Sequence, residues 1–296
     1  MKIFFAGTPE TAVPTLSALI EAGHEIVGVI TRDDAPVGRK AILTPSPVAV
    51  FAQSAGIETI KANRITDDVC ERIEATHADL GIVVAYGGFL SDRALQATTF
   101  GWLNLHFSDL PHFRGAAPVQ HTLLQGNDKA ATCVFQLVAA MDAGPIASTE
   151  FTDLNGTETT GELLATLALT GAHHVVDVVE NVSQGTMSFT EQVGEPTFAP
   201  KLDAHHGQLI AEDSGQVNFN RYRGVTPEPG AWILDNGVRV KIHVAKLSIH
   251  ALEPGEICIV DDSVLWGTAS TAIELVEVQP SGKQRMNARD WARGRR

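Results

Sequence analysis

Two rhythms of apolar residues alternate through the first two hundred positions. Short apolar runs at residues 2–6, 25–30, 80–85, 101–107 and 132–138 read as strands. The run at 80–85 carries no polar side chain, as expected of a strand covered on both faces of a parallel sheet. Between these runs the apolar spacing is helical: up to about residue 22, at 48–55, at 67–76, and over the long stretch 160–182 with Thr159 or Thr160 as its cap. Residues 32–47 hold Pro36, Gly38, Pro45 and Pro47 and read as a loop without an element of its own. Strand and helix in alternation predict an α/β domain built on a mostly parallel sheet.

Near residues 205–215 the rhythm changes to strands alone, at 231–234, 238–247, 255–260, 264–268 and 272–278. Turn formers punctuate them: Asp235-Asn236-Gly237 is a hairpin signal, followed by Glu253-Pro254-Gly255 and Asp261-Asp262. Short strands at near-regular spacing predict a small barrel or sandwich. The expected domains are therefore 1–204 and 205–296.

Composition adds a few exclusions. The chain has 296 residues, 44% hydrophobic and 19% charged, enough apolar material for a proper core in each domain. Cys70, Cys133 and Cys258 are widely spaced, which fits a reducing cytoplasm with thiols used as small core residues. Only a few apolar residues follow Met1-Lys2, too few for a secretory leader, and no run nears the roughly 18 residues of a membrane span. The net charge of −13 opposes nonspecific attraction to a polyanion. Against that trend, Lys283, Arg285, Arg289, Arg293, Arg295 and Arg296 crowd the C-terminus with only Asp290 opposing them. A solvated tail and a local basic patch both fit that pattern.

The chemistry concentrates in residues 101–118. On a strand over 101–107, Trp102, Asn104 and His106 share one face, with Leu103, Leu105 and Phe107 on the other. An Asn and a His at the C-terminal end of a buried strand need partners. Open α/β sheets place ligands at that end, and loop backbone groups would satisfy the pair equally well. Asp142, in Met141-Asp142-Ala143-Gly144-Pro145, is either a turn former or a functional carboxylate. Together the three supply what acyl transfer to an amine requires. A carboxylate orients an imidazole, the imidazole handles the amine's proton, and an amide N–H donates to the oxyanion.

Asn104-Leu-His106-Phe-Ser108-Asp-Leu110-Pro111 resembles the N-x-H-x-S-L-L-P signature of folate-dependent formyltransferases. Phe113-Arg114-Gly115-Ala116-Ala117-Pro118-Val119-Gln120 is similar to the R-G-A-A-P-I-Q continuation of the branch acting on methionyl-tRNA. Ile3-Phe-Phe-Ala-Gly-Thr-Pro9, Val83-Val-Ala-Tyr-Gly-Gly-Phe-Leu90, and Gly38-Arg39 leading to Leu43-Thr-Pro-Ser-Pro-Val48 extend the match in the family's order. It is strong over residues 1–200 and weak beyond.

The resemblance implies a Rossmann-like formyltransferase domain followed by a small OB-like β-barrel that contacts tRNA. It implies transfer of the formyl group of 10-formyltetrahydrofolate to the amine of initiator methionyl-tRNA, in the cytoplasm, by a monomer, with no metal, no membrane and no covalent intermediate. Asn104, His106 and Asp142 become the catalytic trio, with Asn104 and protonated His106 on the oxyanion. Ser108, Asp109, Leu110 and Pro111, with Tyr86, Gly87, Phe89 and Leu90, become the folate cradle. Arg39, Lys40 and Arg114 become tRNA contacts.

The chain departs from the family pattern at Asp109 (Leu there), His112 (a basic residue), Ala140 (Gly) and the run beginning His205-His206. The alternatives are a formyltransferase for a small amine and a noncatalytic folate-binding protein on the same scaffold. Gly7-Thr-Pro9 lacks the dinucleotide glycine fingerprint. His173-His174 and His205-His206 lack the i, i+4 spacing of a helical zinc site and are expected at the surface.

Overall fold

The computed structural model describes residues 1–38 and 40–295. In chain order the first elements are β1 (Lys2–Gly7), α1 (Val13–Glu21), β2 (Glu25–Thr31), β3 (Ala35–Val37), β4 (Ile42–Thr44), α2 (Pro47–Ser54), β5 (Thr59–Lys61), α3 (Asp67–Glu74), β6 (Leu80–Val84), α4 (Asp92–Leu95) and β7 (Trp102–His106). Then come α5 (Pro118–Leu124), β8 (Lys129–Gln136), β9 (Ile146–Asp153), α6 (Thr160–Ser183) and α7 (Gly215–Val225). The last are β10 (Ala231–Asp235), β11 (Val238–Leu247), β12 (Ile257–Val260), β13 (Ser263–Trp266), β14 (Ile273–Pro280), β15 (Met286–Asn287) and α8 (Ala288–Arg293). The chain divides into two compact units: residues 1–114, 131–152 and 164–198 form one, and 115–130, 153–163 and 199–296 the other.

The first unit is built on a seven-stranded sheet in the order β5-β2-β1-β6-β7-β8-β9. Strands β5, β2, β1, β6 and β7 pair in parallel, and β8 runs antiparallel to β7. This is a Rossmann-like, parallel-dominated α/β fold. All five side-chain positions of β6 are buried, as an unbroken apolar run in a central parallel strand requires. One sheet face carries Phe4, Ala6, Ile30, Val83 and Trp102 against Val69 and Ile73 of α3, and the Trp102 indole donates to the Ala94 carbonyl at 2.7 Å.

Helix α6 covers strand β8 from its buried stripe of Leu167, Ala168, Ala172, Val175, Val178 and Val179. Thr159 and Glu162 form its capping box: Glu162 accepts from the Thr159 backbone N–H at 2.8 Å, and the Glu162 N–H donates to the Thr159 hydroxyl at 3.4 Å. Among the described helices, α6 alone is long and apolar enough to cross a membrane, and half of that window is buried inside the protein. The expected surface role for the first histidine pair holds for His173 only. The helical period turns His174 inward, where it is 1% exposed and shares a 3.0 Å hydrogen bond with the Thr132 hydroxyl.

The second unit holds an antiparallel sheet in the order β10-β11-β14-β13-β12, with β15 on β14, curled into a half-barrel. Asn236 and Gly237, both at positive φ, turn β10 into β11. Its core gathers Phe219, Tyr222, Ile233, Ile242, Trp266, Ile273, Val278 and Trp291.

One expectation needs correction, and one alternative left open is narrowed. Residues 32–47 are not featureless, because Ala35 to Val37 pair with Thr44 to Ile42 as a two-stranded hairpin. The basic C-terminus is not a solvated tail. Asn287 caps α8 by accepting from the Arg289 N–H at 2.9 Å, which buries Trp291. Arg295 then forms a two-pronged bond to Asp235 at 2.8 and 3.0 Å.

Candidate active site

Three strand ends of the first unit lead into backbone that ordinary residues avoid. Ala85 follows β6 at φ +48°, Phe113 follows β7 at φ +60°, and Asp142 follows β8 at φ +48°. Left-handed conformations at non-glycine residues persist only where the surroundings impose them, and they cluster at functional sites.

Strand β7 presents two of the expected residues. Asn104 lies opposite Val83 of β6 and Phe135 of β8, so its backbone is held from both sides. Its half-buried amide has no hydrogen-bond partner among the described residues. His106 ends the strand opposite Cys133, 6% exposed, with Phe135 edge-on at 6.3 Å between ring centroids. Its Nε2 lies 3.0 Å from the Phe113 carbonyl oxygen. A carbonyl only accepts, so Nε2 carries the proton and Nδ1 is left with the lone pair. Burial pushes the imidazole below its ordinary pKa; the charge of Asp142, and more weakly the Phe113 carbonyl, pull it back without cancelling that effect.

Asp142 is half-buried in the turn after β8, and its charge acts on His106. The left-handed residue is Asp142 itself and not Ala140, so alanine stands at position 140 without strain. Gly144 is required by crowding: a Cβ there would come within 1.8 Å of the Gln136 carbonyl oxygen.

The folate candidates divide into scaffold and surface. Tyr86 is buried with its hydroxyl donating to the Ala62 carbonyl, and burial raises that phenol to about 12. Ser108 is buried and donates to the His112 carbonyl, Leu110 packs on Cys133 and Phe135, and Pro111 is buried. Gly87 is exposed at φ +78° with its carbonyl accepting from Arg32 at 2.6 Å, Leu90 packs on the core, and Phe89 is 80% exposed. Asp109 and His112 are half-exposed and 3.8 Å apart, so the two departures from the family pattern face each other. Lys40 is exposed on the β3–β4 hairpin, and Arg39 lies outside the described residues. Arg114 is half-buried and donates to Gln192 at 2.6 Å.

Sequence reasoning missed Gln192 and Thr197. Gln192 donates to the carbonyls of Asp142 and Gly144, and Thr197 accepts from the Phe113 N–H. Both sit in a stretch without periodicity, some fifty and eighty residues from their partners, and no local pattern marks them.

Residues 1–179 match the formyl transferase family, and residues 201–296 match the formyl transferase C-terminal domain. The chain belongs to the formyl transferase family. Methionyl-tRNA formyltransferase of Leifsonia xyli is 47% identical over 99% of this chain and 97% of its own length, and that of Corynebacterium diphtheriae is 41% identical with the same coverage. Two solved formyltransferase-like folds agree at low identity. The Helicobacter canadensis N-formyltransferase, in complex with folinic acid and dTDP-3-aminofucose, superposes with a TM-score of 0.70 at 16% identity, over 93% of this chain and 98% of that one. HypX from Aquifex aeolicus gives 0.69 at 15% identity over 98% of this chain, which spans about half of that protein's length. At such identities the likeness is one of fold.

Proposed function

We propose that this formyl transferase moves the formyl group of 10-formyltetrahydrofolate onto the amine of initiator methionyl-tRNA, forming formyl-methionyl-tRNA for translation initiation. Relatives carrying that activity in their names match the chain from end to end. The observation that carries the chemistry is the pairing of an Asn104 amide with no hydrogen-bond partner among the described residues and a buried His106 whose Nε2 is bonded to the Phe113 carbonyl.

In this reading the Asn104 amide donates to the formyl oxygen as it gains negative charge under attack by the amine. His106 Nδ1 takes the amine's proton, since Nε2–H is committed to the Phe113 carbonyl. Asp142 stabilises the imidazolium so formed, and that cation adds to the oxyanion's stabilisation. His106 then returns the proton to the departing folate nitrogen as the carbon–nitrogen bond to the carrier breaks. Proton and charge are all accounted for by the three side chains, so the proposal includes no metal and no covalent enzyme intermediate.

The exposed Phe89 and the Gly87–Leu90 backbone on one side, and Asp109 on the other, are proposed to receive the folate ring, with Tyr86, Ser108, Leu110 and Pro111 fixing the loops beneath. Lys40, exposed on the hairpin, and Arg39 are proposed tRNA contacts. In the second unit Lys201, Lys241, Lys246, Lys283 and Arg293 are exposed with no ion pair among the described residues, and they are the cations available to phosphate. We place the reaction in the cytoplasm and assign the work to a monomer with residues 1–204 as catalytic domain and 205–296 as tRNA-contacting domain.

The test is incubation of the purified protein with 10-formyltetrahydrofolate and, separately, charged initiator methionyl-tRNA, glycinamide ribonucleotide, a nucleotide-linked aminosugar, or no acceptor, with products followed by mass. Formyl-methionyl-tRNA as the single product supports the proposal. Product on a small amine, or mere hydrolysis of the carrier, refutes the tRNA assignment and leaves the trio standing.

A further inference from the structure

The segment that follows α6 reaches back to both partners of His106. Thr190 and Ile146 exchange two backbone hydrogen bonds at 2.8 and 2.9 Å, which lays the segment along the Asp142 turn. Two residues on, the Gln192 amide places both of its protons on that turn: Nε2 donates to the Asp142 carbonyl at 2.9 Å and to the Gly144 carbonyl at 2.8 Å. Its Oε1 accepts from the Arg114 guanidinium at 2.6 Å, so the amide can point only one way. Farther along, the Thr197 hydroxyl accepts from the Phe113 N–H at 2.8 Å and the Thr197 carbonyl from the Arg114 N–H at 2.9 Å. Phe113 is the residue whose carbonyl accepts the hydrogen bond from His106 Nε2–H.

Asp142 sits at φ +48°, a conformation that Asp adopts more readily than most residues but that is still the minor one for the bare chain, so bonds from outside the turn strengthen its hold. We propose that Gln192 is a positioning residue for the transfer reaction, holding the Asp142 turn against His106 with Arg114 as its anchor. This rests on the assignment of Asn104, His106 and Asp142 to the chemistry. It gives Arg114 an internal role in place of the tRNA contact that the family motif implies.

The test compares the unaltered protein with Gln192→Leu and Gln192→Glu. Glutamate keeps an acceptor for Arg114 and nearly the same shape, and it lacks the two protons that the turn carbonyls need. Both variants are expected to lower kcat about 10- to 100-fold, because small misplacement of a reacting group costs rates of that order. KM for 10-formyltetrahydrofolate should stay within about twofold. Amide hydrogen exchange over residues 141–146 should quicken while the thermal midpoint stays within a few degrees. Wild-type kcat in Gln192→Glu, or unchanged exchange in that turn, overturns the proposal. So does a rise in KM that accounts for the whole loss, since Gln192 would then touch substrate. Should Gln192→Leu fail to fold, the glutamate variant decides alone. Should the unaltered protein form no formyl-methionyl-tRNA, the functional reading fails, and the exchange comparison still decides whether Gln192 holds the turn.

Discussion

Asn104→Ala separates catalysis from stability more cleanly than any other change at the site. The Asn104 backbone is bonded into the sheet between β6 and β8, and alanine leaves that ladder intact. Its amide has no hydrogen-bond partner among the described residues, so truncation strands no buried donor or acceptor. The half-buried side chain contributes little packing, and the expected change in unfolding free energy is within about 1 kcal/mol. The rate is another matter. Loss of one preorganised oxyanion donor typically costs 10²- to 10³-fold, about 2.7–4 kcal/mol of transition-state stabilisation. The assay is single-turnover formylation of charged initiator tRNA at saturating 10-formyltetrahydrofolate, with urea unfolding of the same preparation. A rate within fivefold of the unaltered protein would remove Asn104 from the oxyanion. A stability loss of several kcal/mol would show instead that the amide has a structural partner, and the reasoning from its freedom would fail.

Other outcomes follow from the same geometry. Because burial holds His106 below its ordinary value of 6.5, the unfolded chain binds a proton near that pH that the folded chain refuses. Stability should therefore fall as pH drops through about 6.5, by about 1.4 kcal/mol per pH unit within the window, and His106→Gln should lessen that loss in thermal melts from pH 8 to 5. Gly144→Ala should abolish turnover, since a Cβ 1.8 Å from the Gln136 carbonyl oxygen must displace the Asp142 turn; retention of more than a tenth of the activity would refute this. Trp291→Ala should cost about 3–5 kcal/mol of stability by denaturant unfolding, because α8 belongs to the core of the second unit. Lys283→Glu with Arg293→Glu tests the basic surface without that damage, and tRNA affinity that neither weakens nor loses salt sensitivity would exclude it from the contact.

Strand parity made the candidate side chains legible, because alternation alone places Asn104 and His106 on one face at the end of the sheet where open α/β folds bind ligands. The buried strands and the Asn236-Gly237 hairpin were equally plain, since each depends on residues adjacent in the chain. Elements whose partners lie far away were not. Strand β9 is half-exposed along its length and mixes Ser148, Thr149, Glu150 and Thr152 with its apolar positions, so it lacks both strand signatures. Helix α7 buries Asn218, Asn220 and Arg223, which read as surface residues until the carbonyls that receive the Asn218 amide, at Ile210, Asp213 and Ser214, are in place. His174 was misjudged for the same reason, on a helix that reads as amphipathic. The active site repeats this division. Two of the three side chains proposed for its chemistry, Asn104 and His106, are directed by their own strand, whereas its precision depends on where carbonyls point in turns at Phe113 and Asp142. Those directions are imposed by Gln192, Thr197 and Arg114 through bonds that no spacing in the chain encodes. A site of this kind announces what it does locally, and keeps non-local the means by which it holds the geometry.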